Sequence, residues 1–250
     1  MKIILLLVVS IFLLPLTLTA QPKLSGQWSL EGDFGYVIPV STGMKGTSSQ
    51  FQQDIQKSYN NSSYPFGDSR AFSGMGNVML SYRFPSSSWS AYGAEYGFAS
   101  SVDNGIQRNT FLSENAELFN AATVLGAEYT LGEPSDRLNA FGRFGLALSL
   151  FTGDVNYFGN HLELTPTFRG GIDLGIGGRW NWDFAPLAIE ASISYFDANL
   201  IGKSYQAPGT SPPNQILERA LNDGKNPNDP NDVSRSISYL SFRLGGRIWF

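Results

Sequence analysis

The chain has 250 residues, a formal net charge of −4, 15% charged and 14% aromatic residues, and no cysteine. A soluble domain carries about 25% charged residues, so this surface is short of charge, while a mean hydropathy of −0.12 does not fit a bundle of membrane helices. The 17 Lys and Arg are scattered, leaving no basic footprint for nucleic acid, and the absence of cysteine excludes a disulfide framework, a thiol nucleophile, a cysteine metal site and a lipidated N-terminal cysteine.

The first stretch is MKIILLLVVSIFLLPLTLTAQ. Lys2 supplies a positive start, residues 3–14 an apolar run and Pro15 a break, with Ala20–Gln21 as the candidate cleavage point. This predicts a secretory signal peptide over 1–20 and a mature chain over 21–250. The apolar run is shorter than the ~20 residues of a spanning helix.

Beyond Gln21 the pattern has period two, the signal of strands with one apolar face. The first predicted strand sets Trp28, Leu30, Phe34, Tyr36 and Ile38 against Ser29, Glu31 and Asp33. The second sets Phe72, Val78, Leu80, Tyr82 and Phe84 against Ser73, Asn77, Ser81 and Arg83. In the third, over 89–99, Tyr92, Ala94, Tyr96 and Phe98 form the apolar face, with Gly93, Glu95 and Gly97 on the other. The fourth sets Phe119, Leu125 and Tyr129 against Asn120, Gly126 and Glu128, and the fifth, over 138–151, sets Leu138, Phe144, Leu146, Leu148 and Leu150 against Arg143 and Gly145. The sixth, over 162–182, sets Phe168, Ile172, Leu174, Ile176, Trp180 and Trp182 against Arg169, Asp173 and Arg179. The seventh places Glu190, Ser192 and Ser194 opposite Leu187, Ile189, Ile193 and Tyr195, and the last runs over 234–250.

The connections between these eight predicted strands alternate in length: long at 39–70, 99–116, 151–161 and 197–233, short at 85–88, 131–137 and 183–185. That alternation predicts an all-β, eight-stranded antiparallel up-and-down transmembrane barrel with short periplasmic turns and long external loops. Residues 211–224 read as a short helix, with Ser211 as cap and Gly224 as stop, and 48–60 as a weaker one.

A soluble lipocalin-like barrel would put the apolar face inward. The polar face argues for the inverse. It carries Glu31, Asp33, Arg83, Glu95, Glu128, Arg143, Arg169, Asp173, Arg179, Glu190, Arg243 and Arg247, six acids against six arginines and no lysine. Arginine suits enclosed, planar pairing with carboxylates, and glycines on the same face, among them Gly93, Gly97, Gly145, Gly171, Gly175 and Gly245, leave room for it in a narrow lumen. Aromatic residues also bracket the aliphatic stretches. Trp28, Tyr82, Phe84, Trp89, Tyr129, Trp180, Trp182 and Phe250 lie at the short-turn end, and Tyr36, Phe72, Phe98, Phe119 and Tyr195 at the long-loop end, as at two membrane interfaces.

The stretch LSFRLGGRIWF over 240–250 resembles the closing strand of bacterial outer-membrane barrels. The chain is similar to the small eight-stranded group of outer membrane proteins A, X and W. The resemblance implies that Phe242, Leu244, Ile248 and Phe250 form the signal read by the barrel assembly machinery, that outer-membrane lipid surrounds the barrel, and that the cell outer membrane is its location. Trp249 is left on the inward parity, where it would cap the periplasmic mouth.

Little here reads as chemistry. His161, the one histidine, lies near Ser149, Asp154 and Glu163 in sequence without a recognisable Ser–His–acid spacing, so it reads as a solvated loop residue. The Asp- and Asn-rich stretch 221–234 lacks an EF-hand pattern and reads as a turn-rich loop. No cofactor or metal motif is present. The expectation is a non-enzymatic envelope protein, structural or surface-binding through external loops whose ligand is open, with an ion-paired closed lumen. The alternative is a narrow passive channel, followed by a lipid A-modifying enzyme.

Overall fold

A computed structural model describes residues 27–40, 73–103, 115–133, 136–157, 160–182, 185–204, 217–219, 223–225, 227–228, 234 and 236–250. The strands are β1 (Gln27–Pro39), β2 (Ser73–Arg83), β3 (Trp89–Asp103), β4 (Asn115–Leu131), β5 (Leu138–Tyr157), β6 (Asn160–Asn181), β7 (Leu187–Ile201), the three-residue β8 (Leu217–Arg219) and β9 (Ser238–Trp249). All long neighbours pair antiparallel. The order β5-β4-β3-β2-β1-β9-β7-β6, with β5 also paired to β6, closes eight of them into a barrel. The seam joins β1 to β9, sealed by reciprocal backbone bonds between Trp28 and Phe250 of 3.2 and 3.0 Å.

Closure leaves no free edge, and alternation divides each strand between wall and lumen. The outer wall is apolar: Phe34, Leu125, Leu146 and Ile176 are each more than 60% exposed. Such a surface is stable only against an apolar solvent. Trp28 and Tyr82, and Trp89 and Tyr129, pack at 4.9 Å across neighbouring strands at the short-turn end, in the expected lower girdle. At the other end Tyr36, Phe119, Phe168 and Tyr195 face out.

Three expectations need correction. First, β3 has the opposite parity. Its register pairs Ser90 with Glu128 and with Arg83, both inward, and side chains directly opposite share a face. Tyr92, Ala94, Tyr96 and Phe98 are therefore buried in the lumen, while Glu95, Gly93 and Gly97 lie on the outer wall. Phe98 consequently leaves the expected upper girdle. Second, 151–161 is no long loop: β5 and β6 run to Tyr157 and from Asn160, prolonging one hairpin beyond an irregularity between Phe151 and Gly153. Third, residues 217–219 of the expected helix form β8, paired parallel to Leu162–Leu164 of β6. The signal peptide over 1–20, the helix over 48–60 and Phe72 lie outside the described residues.

Candidate functional site

The lumen is filled in tiers, and the lowest is a neutral layer of three glutamates and three arginines. Each of six strands contributes one: Glu31 from β1, Glu128 from β4, Arg143 from β5, Arg179 from β6, Glu190 from β7 and Arg247 from β9. Arg143 sits at the hub. Its Nη1 and Nη2 donate to the two Glu31 carboxylate oxygens at 2.9 and 2.7 Å, its Nε to Glu128 at 2.8 Å, and Nη2 also to Glu190 at 2.7 Å. Arg247 donates to Glu31 at 2.6 Å and Glu128 at 2.8 Å, and its Nε lies 2.7 Å from Glu190. Arg179 donates to Glu128 at 2.8 Å and to Glu190. All six side chains are at most 4% exposed. Planar guanidinium forks shared among several carboxylates satisfy both signs at once, which lets the charges leave water.

Below this layer Trp249 points inward. The guanidinium carbons of Arg83, Arg179 and Arg247 lie 5.8, 5.4 and 5.1 Å from its ring centroid, within cation–π range. Phe141 does the same for Arg143 at 4.3 Å and Arg179 at 5.0 Å. The periplasmic mouth is thus floored by aromatic faces under cations.

Above the layer, Tyr96 donates to Asp173 at 2.7 Å and accepts from Arg243 at 3.2 Å, and Arg243 lies 3.8 Å from Asp33. The side chains of Asn77 and Ser149 and the Tyr92 hydroxyl, also buried, make no hydrogen bond within the described protein. This middle tier is polar but less tightly paired. Gly175 lines it, and the position of a Cβ there would be 3.3 Å from Arg243 Nη2. A third tier is aromatic: Phe98 stacks on Tyr239 at 5.0 Å and packs at a tilt against Phe196 at 4.8 Å, with Phe151, Val37 and Ile237 also buried. Pattern reading missed it because Tyr96 and Phe98 read as lipid-facing. The hydroxyl group of Tyr96 was the available signal, since a tyrosine hydroxyl seeks a polar partner and this one finds Asp173 and Arg243.

At the upper rim Arg169 donates to both oxygens of Asp223 at 2.9 and 2.8 Å. Asp223 also accepts from Asn199 at 2.8 Å and from the Ser204 backbone at 3.1 Å. The Asp/Asn-rich stretch thereby folds one acid into the barrel mouth. Of the twelve residues on the expected polar face, eleven lie on the lumen side of the wall. Glu95 is the exception, and two acids outside the expected set, Asp197 and Asp223, are buried as well. Ser149 is buried opposite Arg169 in the register, whereas His161 lies opposite Asn156. Eight strand positions, roughly 26 Å, separate the His161 and Arg169 backbones, so Ser149 and His161 do not meet. Phe242, Leu244 and Phe250 lie exposed on the outer wall, with Ile248 half-buried among them.

No family model matches the chain, and no curated protein matches it. Solved structures do. The outer membrane protein OprG from Pseudomonas aeruginosa superposes with a TM-score of 0.51 at 12% identity, covering 93% of this chain and 99% of that one. Neisserial surface protein A gives 0.44 at 12% identity over 89% and 97% of the two chains. Ail, the attachment invasion locus protein of Yersinia pestis, gives 0.46 at 13% identity over 91% and 100%. At 12% identity the likeness to OprG is one of fold alone, that of an outer-membrane protein, and it agrees with the closed eight-stranded barrel seen here.

Proposed function

We propose that this chain, which has the fold of the small eight-stranded outer-membrane barrels, is a closed, non-enzymatic envelope protein of the cell outer membrane. It presents its long external connections for surface binding or protection, and its lumen carries no solute. The signal peptide over 1–20 brings it across the inner membrane. The observation that carries the closed reading is the neutral six-residue layer across the lumen, floored by Trp249. A pore needs mobile water and exposed charge along its length, and this layer leaves its charges paired and dry. The apolar wall between two aromatic girdles supports the membrane reading.

The less tightly paired middle tier favours a narrow channel as the second reading. Planar-bilayer recording separates the two. The purified protein is expected to insert and pass no current above the bare membrane; discrete steps in the wild type would establish the channel instead.

Assembly is the other proposed partnership. Phe242, Leu244, Ile248 and Phe250 of the closing strand form the signal for the barrel assembly machinery. Phe250→Asp is expected to lower the amount of folded protein in the outer membrane at least several-fold, measured in membrane fractions, and an unchanged amount would remove Phe250 from that role.

A further inference from the structure

Between the six-residue layer and the aromatic tier, several strands bring polar side chains to one level of the lumen. The register sets Asp33 of β1 directly opposite Asn77 of β2, and Asn77 opposite Tyr96 of β3, so the three share a row on the inner face. Asp173 of β6 accepts from the Tyr96 hydroxyl, and Arg243 of β9 donates to it. Tyr92 reaches the same level. Its hydroxyl lies 2.7 Å from the position of a Cβ at Gly145, the residue opposite Asp173. All six side chains are buried.

Protein groups serve these side chains poorly. Among the described residues, Asp33 Oδ1, Asp173 Oδ1, both amide atoms of Asn77, the Tyr92 hydroxyl, and Arg243 Nε and Nη2 make no hydrogen bond. Arg243 approaches Asp33 only to 3.8 Å, beyond hydrogen-bond reach. The layer below is the contrast, with each arginine shared among glutamates. Folded interiors leave few buried polar atoms unserved, because each gives up its water without return. The unserved atoms here are donors and acceptors side by side. A cation would serve the carboxylates and leave Arg243 without acceptors, and an anion would do the reverse. Water donates and accepts, so it alone suits both. Small residues on the inner face at this level, Ala94, Ala147, Gly175 and Ser194, leave space that arginines and rings fill in the tiers on either side.

We propose that this level is an enclosed hydration site, in which ordered waters bridge Arg243 to Asp33 and Asp173 and serve Asn77 and the Tyr92 hydroxyl. The neutral layer closes the site below, and the rings of Phe98, Phe196 and Tyr239 close it above. These waters are part of the fold and exchange slowly with the bulk. The lumen is dry at two levels and wet between them.

This proposal rests on the closed reading of the lumen, and X-ray footprinting of the folded protein in lipid vesicles tests the two separably. Irradiation turns a trapped water into a hydroxyl radical in place, which adds oxygen to the nearest ring. After correction for the reactivity of the free amino acids, Tyr92 and Tyr96 are expected to label at least several-fold faster than Phe98 and Phe196. On transfer to heavy-oxygen water, the heavy label is expected to reach the two tyrosines only after a delay. Asn77→Leu, which sets an apolar side chain among the waters, is expected to lower Tyr96 labelling several-fold, with circular dichroism reporting that the variant is folded. Tyrosines that label no faster than Phe98 and Phe196, or labelling unmoved in folded Asn77→Leu, would overturn the hydration site and leave the closed lumen standing. Heavy label that arrives without delay would overturn both, since bulk water then reaches this level freely.

Discussion

Arg143→Met is expected to lower the unfolding free energy of the barrel in lipid vesicles by about 3–5 kcal/mol, the usual consequence of removing one partner from a buried ionic cluster. Urea titration followed by tryptophan fluorescence would measure it. The size follows from what remains. Met fills much of the volume but donates nothing, so Glu31, Glu128 and Glu190 stay buried with only Arg179 and Arg247 to serve them. Charge balance, not packing, is then the main loss. A second change, Glu31→Met, restores two against two, so the double variant should be less destabilised than the two single variants summed. Strict additivity would mean that the six side chains act independently, contrary to the shared hydrogen bonding.

Gly245→Ala is expected to destabilise the barrel less, and by a different route. The position of a Cβ at Gly245 is 2.5 Å from the Asp33 Cβ and 2.6 Å from the Gly32 carbonyl oxygen. The obstacles lie on or next to backbone of the sealing strand β1, so no rotamer change relieves them, and overpacking costs about 1–3 kcal/mol. Gly246, one position on, points outward, and its nearest neighbour is the Ala188 oxygen at 3.7 Å. Gly246→Ala should therefore stay within about 0.5 kcal/mol of wild type. Equal effects at the two positions would show that strand entropy, and not the close approach at the β1–β9 seam, governs both.

Alternation made the barrel legible because one face of each strand meets a different medium from the other. It worked best where the two faces differ in charge, as in β5, where Arg143 alternates with Phe144, Leu146 and Leu148. It failed on β3, where neither parity is plainly polar: Tyr92, Tyr96 and Phe98 against Gly93, Glu95 and Gly97. Aromatic residues suit both a lipid interface and a packed lumen, and only the hairpin register, which ties Ser90 to Arg83, decides between them. The upper hairpin of β5 and β6 was missed because Gly153, Asn156 and Asn160 are turn-favouring residues inside what became strand. The Arg169–Asp223 pair joins residues 54 positions apart through a stretch with no periodicity, so spacing carried no trace of it.

The six-residue layer also bears on the order of events in folding. Its bonds join Arg143 to Glu31 across 112 positions and Arg247 to Glu31 across 216. Because every member comes from a different strand, no hairpin or half-barrel holds more than a fragment of it. Glu31 and Arg247 join the layer only when β9 reaches β1, after most of the chain entropy has been lost. Substitutions of Glu31 or Arg247 should thus leave the folding rate nearly unchanged and appear as faster unfolding, so that the charges at the seam govern how long the barrel stays shut once it has closed.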